Sequence, residues 1–445
     1  MKILIVSLGC DKNLVDTEMM LGMLAERGHT FTDDETEAEA AVVNTCCFIG
    51  DAKEESVNAI LQMAELKKEG RLKVLIVAGC LAQRYREEIQ EEIPEVDEIL
   101  GTMAFDRVVD AIEEVAAGKC QNHITEPDAA LVYGKRRSVT TGGYYAYLKI
   151  AEGCDKRCTY CIIPKVRGSY RSVPMETLVE EAGRLAEGGV RELILVAQET
   201  TVYGKDLYGS KALPELLKRL CAIPGLYWIR LLYCYPEEIT EELIETIRTE
   251  PKICHYLDMP IQHASDRILK KMGRKTNQQE LRERIARLRE QIPDICLRTT
   301  LISGFPGEEQ EDFVTLYNFV DELEFDRLGV FAYSREEGTV AADMPEQVPE
   351  EVKEARRSEL MELQQEIAFE KAQSMTGKTL VAMIEGRVDG ENAYVARTYM
   401  DAPNVDGLLF IHTSRELMSG DFVRARITGA YEYDLIGELE DEFTE

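Results

Sequence analysis

The sequence predicts an α/β protein of three domains: an N-terminal parallel-sheet α/β domain, a central partial (β/α) barrel and a small C-terminal antiparallel β-barrel. Two series in which strands and helices alternate predict the first two domains, because strands separated by helices form parallel βαβ units. A change to short strands separated by turn glycines predicts the third domain. We place the domains at residues 1–125, 144–370 and 373–445 of the 445-residue chain.

In the N-terminal domain, short β-branched or apolar runs alternate with helical patterns. The predicted strands cover residues 2–7, 40–43 and 74–78, and the predicted helices cover residues 14–26, 53–67 and 84–90. A cysteine follows each strand: Cys10, Cys46 and Cys80. Ligand sites in open α/β sheets lie beyond the carboxyl ends of the strands, so we expect these thiols to converge on one metal site. The alternatives are chance placement of small apolar cysteines, and Cys47 as the ligand in place of Cys46.

The central domain follows a polar connector at residues 126–143, whose basic run at 134–137 we interpret as a solvated linker. Its predicted strands cover residues 145–150, 192–197, 228–233, 256–259, 296–302 and 328–331. A charged helical pattern at 350–371 closes the domain. In barrels of this kind the chemistry lies at the carboxyl ends of the strands, which directs attention to the residues after each one.

Three cysteines lie within eight residues directly after the first central strand. Cys154, Cys158 and Cys161 form the pattern C-x3-C-x2-C. A cubane iron–sulfur cluster takes four thiolates, so three leave one iron open to a small molecule. The alternatives are a zinc site and three unrelated buried thiols. Structural zinc sites use paired C-x2-C units, and this stretch has only one, so the pattern favours the cluster.

This spacing resembles the radical S-adenosylmethionine (SAM) superfamily, in which the open iron binds SAM and an electron from the cluster splits it to give a 5′-deoxyadenosyl radical. The segment Ser7-Leu8-Gly9-Cys10-Asp11-Lys12-Asn13-Leu14-Val15-Asp16-Thr17-Glu18 resembles the opening signature of the methylthiotransferases. The C-terminal strands resemble the TRAM domain that ends those proteins. The resemblance covers nearly the whole chain. The chain differs from the usual family sequence at Asp11, Thr17 and Cys47, and none of these differences removes a candidate cluster ligand.

The resemblance implies two [4Fe-4S] clusters and SAM as cofactors. Cys154, Cys158 and Cys161 are then the catalytic cluster ligands, and Cys10, Cys46 and Cys80 hold the second cluster. It also implies SAM binding by polar groups on or after barrel strands, for which we take Gln198, Glu199, Thr200 and Arg298. For Gln198 and Glu199 a helix cap is the alternative.

Two further groups of residues receive structural interpretations. We interpret His263 as a core histidine, because radical abstraction needs no proton acceptor. The remaining central-domain cysteines lie in apolar surroundings, which favours structural thiols. They are Cys221, Cys234, Cys254 and Cys296.

The substrate follows from motifs and charge together. The segments 9–13 and 262–265 resemble the branch that methylthiolates the β-carbon of an aspartate in ribosomal protein S-twelve (uS12). The chain carries a net charge of −30, and from Gln373 onward it has six basic and fourteen acidic residues. An RNA backbone is repelled by such a surface and a basic protein is attracted, so we expect uS12 as partner and consider tRNA unlikely. The alternatives are a tRNA methylthiotransferase acting on isopentenyladenosine and a nonenzymatic iron–sulfur electron carrier.

Composition and cysteine content predict the cellular compartment of the protein. No apolar run reaches the length of a membrane span, and the first strand-like run is too short for a signal peptide. Twelve cysteines without a secretory context indicate metal chemistry rather than disulfides. We therefore expect a cytoplasmic protein with no membrane partner, which needs an electron donor and a sulfur source.

Overall fold

The computed structural model describes residues 1–440 and begins with a five-stranded parallel sheet. Its strands are β1 (Lys2–Ser7), β2 (Thr30–Phe31), β3 (Ala40–Thr45), β4 (Val74–Gly79) and β5 (Glu98–Leu100), in the order β2-β1-β3-β4-β5. Its helices are α1 (Asp11–Glu26), α2 (Gly50–Lys68), α3 (Cys80–Arg84), α4 (Arg86–Glu92) and α5 (Val108–Ala116), the last preceded by a 3-10 turn at Phe105–Arg107. The three predicted strands and the three predicted helices are confirmed, the last of these helices as α4, and β2, β5, α3 and α5 are additional.

The central domain is built on six parallel strands that lie side by side in an open sheet. Its strands are β6 (Tyr145–Lys149), β9 (Glu192–Val196), β10 (Trp228–Leu231), β11 (Ile253–Asp258), β12 (Cys296–Ser303) and β13 (Arg327–Ala332), with a small ribbon of β7 (Ala151–Glu152) and β8 (Arg171–Ser172) beside them. Neighbours in the sheet are successive strands of this series, which is the arrangement of a partial (β/α) barrel. All six predicted strands are present.

Helices follow the strands of this sheet and cover its outer face. They are α6 (Ile163–Arg167), α7 (Met175–Glu187), α8 (Lys205–Tyr208), α9 (Leu213–Cys221), α10 (Glu241–Thr249), α11 (Asp266–Lys271), α12 (Gln278–Gln291), α13 (Gln310–Leu323) and α14 (Glu350–Gln373), with 3-10 turns at Pro236–Glu238 and Ala341–Asp343. Alternate strand residues point to opposite faces. Leu195, Ile229 and Leu257 pack on the helices, whereas Tyr147, Trp228 and Tyr256 line the inner face.

The C-terminal domain is a closed barrel of five strands. They are β14 (Thr379–Arg387), β15 (Ala393–Thr398), β16 (Leu409–His412), β17 (Phe422–Tyr431) and β18 (Asp434–Leu439), in the order β14-β15-β16-β18-β17. Four of its five pairings are antiparallel and β16 pairs with β18 in parallel. The parallel pair arises because β17 and β18 form a hairpin whose second strand lies beside β16.

The inner face of the central sheet is covered by the C-terminal barrel. Arg230 and Arg397 both bind Glu192, at 2.7 Å each, and all three side chains are fully buried. Asp406 of the barrel accepts a hydrogen bond from Tyr256 at 2.7 Å. A buried, ion-paired contact fixes the barrel to the sheet. No helix in residues 1–440 is both long and apolar enough to cross a membrane.

Candidate functional site

The segment after β6 brings Cys154, Cys158 and Cys161 together in one short loop. All twelve cysteines of the chain are free. The loop is anchored by its backbone, since Cys154 N donates to Gly168 O at 3.1 Å and Cys161 N donates to Cys158 O at 3.0 Å. Burial raises the pKa of Cys161, and the neighbouring Cys158 and Cys154 add to that rise. Three adjacent thiols, with one weak contact from the Tyr235 hydroxyl to Cys158 Sγ at 3.9 Å, form a donor set that fits a cluster.

A glycine shapes the start of this loop. Gly153 has φ of +77°, in the region that favours glycine, and a Cβ there would lie 2.0 Å from Ser169 O. Only glycine fits, because the backbone of Ser169 passes directly beside it. Gly153 is therefore required for the backbone path that leads into Cys154.

Gln198 and Glu199 follow β9 and lie beside the cysteine loop. Gln198 Nε2 donates to Glu152 Oε1 at 2.8 Å, and its buried Oε1 has no hydrogen-bond partner within residues 1–440. Glu199 accepts from the Thr201 hydroxyl at 2.7 Å. Burial raises the pKa of Glu199 to about 7 although Lys156 opposes the shift. The next helix, α8, has Gly204 as its N-cap, so neither residue caps it. An unmet acceptor beside a buried carboxyl fits the ammonium group of SAM.

Thr200 and Arg298 have partners of their own. The Thr200 hydroxyl donates to Leu232 O at 2.8 Å and is fully buried. Arg298 Nη1 donates to Asp258 at 2.8 Å, and its Nε lies 3.3 Å from Asp406 of the barrel. Thr200 therefore holds β9 against the end of β10, and Arg298 joins the sheet to the barrel. SAM contacts by these two residues stay predictions.

We expect Gln198→Ala to weaken SAM binding by about 1–3 kcal/mol, because the substitution removes the orphaned acceptor and the partner of Glu152. Equilibrium binding of SAM to the reconstituted protein measures this, with iron content as the check on folding. The exposed Gln62, bonded to Glu35, provides the control Gln62→Ala. Unchanged SAM affinity in the double variant Gln198→Ala/Glu199→Ala would contradict the assignment.

Cys10, Cys46 and Cys80 converge beyond the ends of β1, β3 and β4. Gly9 has φ of +89°, and a Cβ built on it would lie 2.6 Å from Cys46 Cβ and 2.9 Å from Cys46 Sγ. The absence of a side chain at Gly9 therefore lets Cys46 approach the end of β1. Burial raises the pKa of Cys46 to about 12, and the neighbouring Cys80 and Cys10 add to the rise. These three thiols fit a second cluster. Cys47 lies in an apolar cluster that also contains Cys80, and its thiol interacts electrostatically with Cys80, so the choice of Cys46 over Cys47 as the ligand stays a prediction.

A buried charge network connects the second cysteine site with the candidate SAM residue Gln198. Arg167 is 1% exposed, and its Nε lies 3.4 Å from Cys80 Sγ. Its Nη1 donates to Glu152 Oε2 at 2.8 Å, the carboxylate that Gln198 also binds. Burial opposes the ionised form of Glu152, but Arg167 and Lys149 hold its pKa well below the usual value. A continuous chain of contacts therefore runs from the second thiol site to the candidate SAM residues.

Sequence reasoning did not single out the members of this network. Asn13 and Asp16 lie in the quoted opening segment, and both bind Arg167. Arg167 itself has no local signal, since a basic residue in a short helix is ordinarily exposed.

His263 and Gly304, the residue after β12, both have structural surroundings. His263 is fully buried, and its Nδ1 accepts from Ser265 N at 2.9 Å. Gly304 has φ of +69°, and a Cβ there would meet Lys353 Cγ at 2.2 Å. The close approach is therefore to a side chain of α14. These contacts agree with a structural role for His263.

Three segments match known families. Residues 2–101 match the family described as Uncharacterized protein family UPF0004, residues 148–320 the Radical SAM superfamily, and residues 376–439 the TRAM domain. Two solved structures share the fold. TsrM, a radical SAM methyltransferase from Kitasatospora setae, has a TM-score of 0.55 at 14% identity, covering 74% of this chain and 72% of its own. The cobalamin-dependent SAM radical enzyme OxsB has a TM-score of 0.54 at 12% identity, covering 82% and 56%.

Three similar proteins are each named ribosomal protein uS12 methylthiotransferase RimO. The protein from Lachnoclostridium phytofermentans is 62% identical, covering 99% of this chain and 100% of its own length. Those from Trichlorobacter lovleyi and Acetivibrio thermocellus are 51% and 50% identical, covering 99% of this chain and 98% and 99% of theirs.

Proposed function

This chain belongs to the ribosomal protein uS12 methylthiotransferase family, and on that premise we propose that it replaces a β-hydrogen of an aspartate in uS12 by a methylthio group. The observation that carries the proposal is the chain of buried contacts from Cys80 of one thiol triad through Arg167 and Glu152 to Gln198, a candidate SAM residue. An unactivated C–H bond beside a carboxylate is too weakly acidic for ordinary base catalysis, so the chemistry requires a radical.

The protein's part is to hold and separate the reacting groups. Cys154, Cys158 and Cys161 hold the cluster that binds SAM, and Cys10, Cys46 and Cys80 hold the second. When bound, the clusters and SAM supply the radical and the methylthio group. An external electron donor and an external sulfur source complete the reaction.

The buried residues between the two sites position these groups. Gln198 and Glu199 offer acceptors to the SAM ammonium group. Arg167 places a permanent positive charge beside Cys80, which stabilises thiolate ligands there. The same guanidinium also binds Glu152, the hydrogen-bond partner of Gln198.

Charge supports uS12 over tRNA as the substrate. The chain carries −30, and its C-terminal region, where TRAM domains commonly bind RNA, is itself acidic. Opposite charges accelerate the encounter with a basic ribosomal protein, and salt screens that attraction.

The test offers uS12 and isopentenylated tRNA in parallel to the reduced, reconstituted protein with SAM and sulfide. We expect a methylthio mass gain on a uS12 aspartate, none on the tRNA, and weaker uS12 binding as ionic strength rises. Mass spectrometry of both substrates measures the outcome, with protein lacking SAM as the control. A gain on the tRNA alone would contradict the proposal.

A further inference from the structure

Lys12 is a buried cation without an anionic partner among residues 1–440. Its side chain is the second of α1, and the residue is 6% exposed. The recorded contact of its ammonium is with the ring of Tyr233, whose centroid lies 3.4 Å from Nζ. Burial of a cation is costly unless a counter-charge is present, and a ring face offsets only part of that cost. The ammonium therefore keeps hydrogen-bond donors for a group that the chain does not supply.

The position of Lys12 places these donors between the two cysteine sites. Cys10, a candidate ligand of the second cluster, is the N-cap of the helix that carries Lys12. On the other side, Tyr233 O accepts from Thr200 N at 3.1 Å, and Thr200 directly follows Gln198 and Glu199. A target carbon must reach both the SAM site and the second cluster. The substrate side chain must therefore pass Lys12.

The neighbouring charged groups are already held by other donors. Asp11 Oδ2 accepts from the Tyr233 hydroxyl at 3.3 Å. Asp258 binds Arg298 at 2.8 Å and accepts from Tyr233 N at 3.0 Å. Neither carboxylate forms an ion pair with Lys12 in the described part of the chain. A carboxylate from outside the chain can therefore approach the ammonium without displacing an existing ion pair.

Tyr233 is held in a backbone conformation that is unusual for a tyrosine. Its φ is +59°, where residues other than glycine are strained. Its backbone N–H donates to Asp258 and its carbonyl accepts from Thr200 N, and these two hydrogen bonds hold it there. Such residues concentrate at functional sites, where the surrounding structure compensates for the strain. In this conformation the ring of Tyr233 lies against the Lys12 ammonium, 3.4 Å from Nζ to the ring centroid.

We propose that Lys12 is the binding subsite for the side-chain carboxylate of the substrate aspartate. This subsite rests on the proposed function and specifies which group of the substrate is recognised. A charge-assisted hydrogen bond forms between ammonium and carboxylate, and the ring of Tyr233 closes the other side. A neutral substrate, whether an asparagine side chain or a nucleobase, leaves the buried cation unpaired and is rejected for that reason.

The experiment compares two substrates with two lysine variants. Full-length uS12 is prepared with its target aspartate intact and with that aspartate replaced by asparagine. For the unaltered enzyme we expect kcat/KM to be at least about 100-fold higher with aspartate, because the asparagine leaves the cation unpaired. In Lys12→Met that ratio should fall close to one, and Lys12→Arg should keep a substantial part of it. Iron content and SAM binding report whether each variant is folded.

A second lysine provides the matched control. Lys371 already pairs with Asp326 at 2.8 Å, so Lys371→Met should leave the substrate ratio unchanged. If Lys12→Met does not hold its iron, Lys12→Gln gives the same comparison with a neutral polar side chain. An Asp-to-Asn ratio in a folded neutral variant that equals the original ratio would overturn the subsite. Failure of the unaltered enzyme to modify uS12 at all would instead overturn the proposed function.

Discussion

Replacing Cys154, Cys158 and Cys161 together by alanine should abolish 5′-deoxyadenosine formation and remove about half of the bound iron, about four of eight atoms per chain if both sites hold cubanes. The three thiols lie in one anchored loop beside Gln198 and Glu199, so the substitution removes the group to which SAM binds. Iron analysis and chromatography of the reaction products measure both effects.

Cys221→Ala is the control for this experiment. Cys221 ends α9 and packs in the apolar layer between the sheet and its outer helices, away from both thiol sites. We expect its iron content and SAM cleavage to match those of the unaltered protein. SAM cleavage that survives in the triple variant would show that another group binds SAM.

Replacing Cys10, Cys46 and Cys80 together should remove the other half of the iron and reduce methylthiolation of uS12 below detection. SAM cleavage should continue, because the loop at 154–161 keeps its own ligands and its own anchors to Gly168 and Met272. The separation of the two activities is the expected sign of a site that delivers sulfur but generates no radical. The same iron analysis, with product detection by mass spectrometry, measures it.

Cys47→Ala is the matched control, since Cys47 is the chain neighbour of Cys46 and is equally buried. We expect full iron and full product in Cys47→Ala, and loss of the second cluster in Cys46→Ala. The reverse pattern would make Cys10, Cys47 and Cys80 the ligand set. Retention of all iron by the triple variant would remove the N-terminal site altogether.

The elements that the sequence predicted are those with strong local patterns. Strands such as Val74–Gly79 are continuous apolar runs that require burial on both faces, so their position follows from composition. The two-residue strand Thr30–Phe31 has no such pattern and forms because it pairs with β1. Likewise, the parallel pairing of β16 with β18 depends on closure of the barrel, which local patterns do not encode.

The candidate site likewise contains residues that the sequence predicts and residues that it does not. The C-x3-C-x2-C spacing predicts the triad at 154–161, and the position of a cysteine after each of three parallel strands predicts the triad of Cys10, Cys46 and Cys80. The network around Arg167 was not predicted, since its partners Asn13 and Asp16 lie about 150 residues away. Arg298 shows the same limit: its partner Asp406 belongs to another domain. Long-range ionic contacts depend on tertiary packing, which a single sequence does not display.

The ionic contact between the C-terminal barrel and the central sheet has a consequence for protein engineering. A substituted barrel that lacked Arg397 would leave the buried Glu192 without one of its two partners, and loss of one partner of a buried ion pair typically costs about 3–5 kcal/mol. A chimera that exchanges this barrel between relatives must therefore carry matched residues on both sides of the junction, Arg397 with Glu192 and Asp406 with Tyr256. The barrel packs on the central domain through specific ionic contacts. A barrel transplanted without the matching residues would not form these contacts.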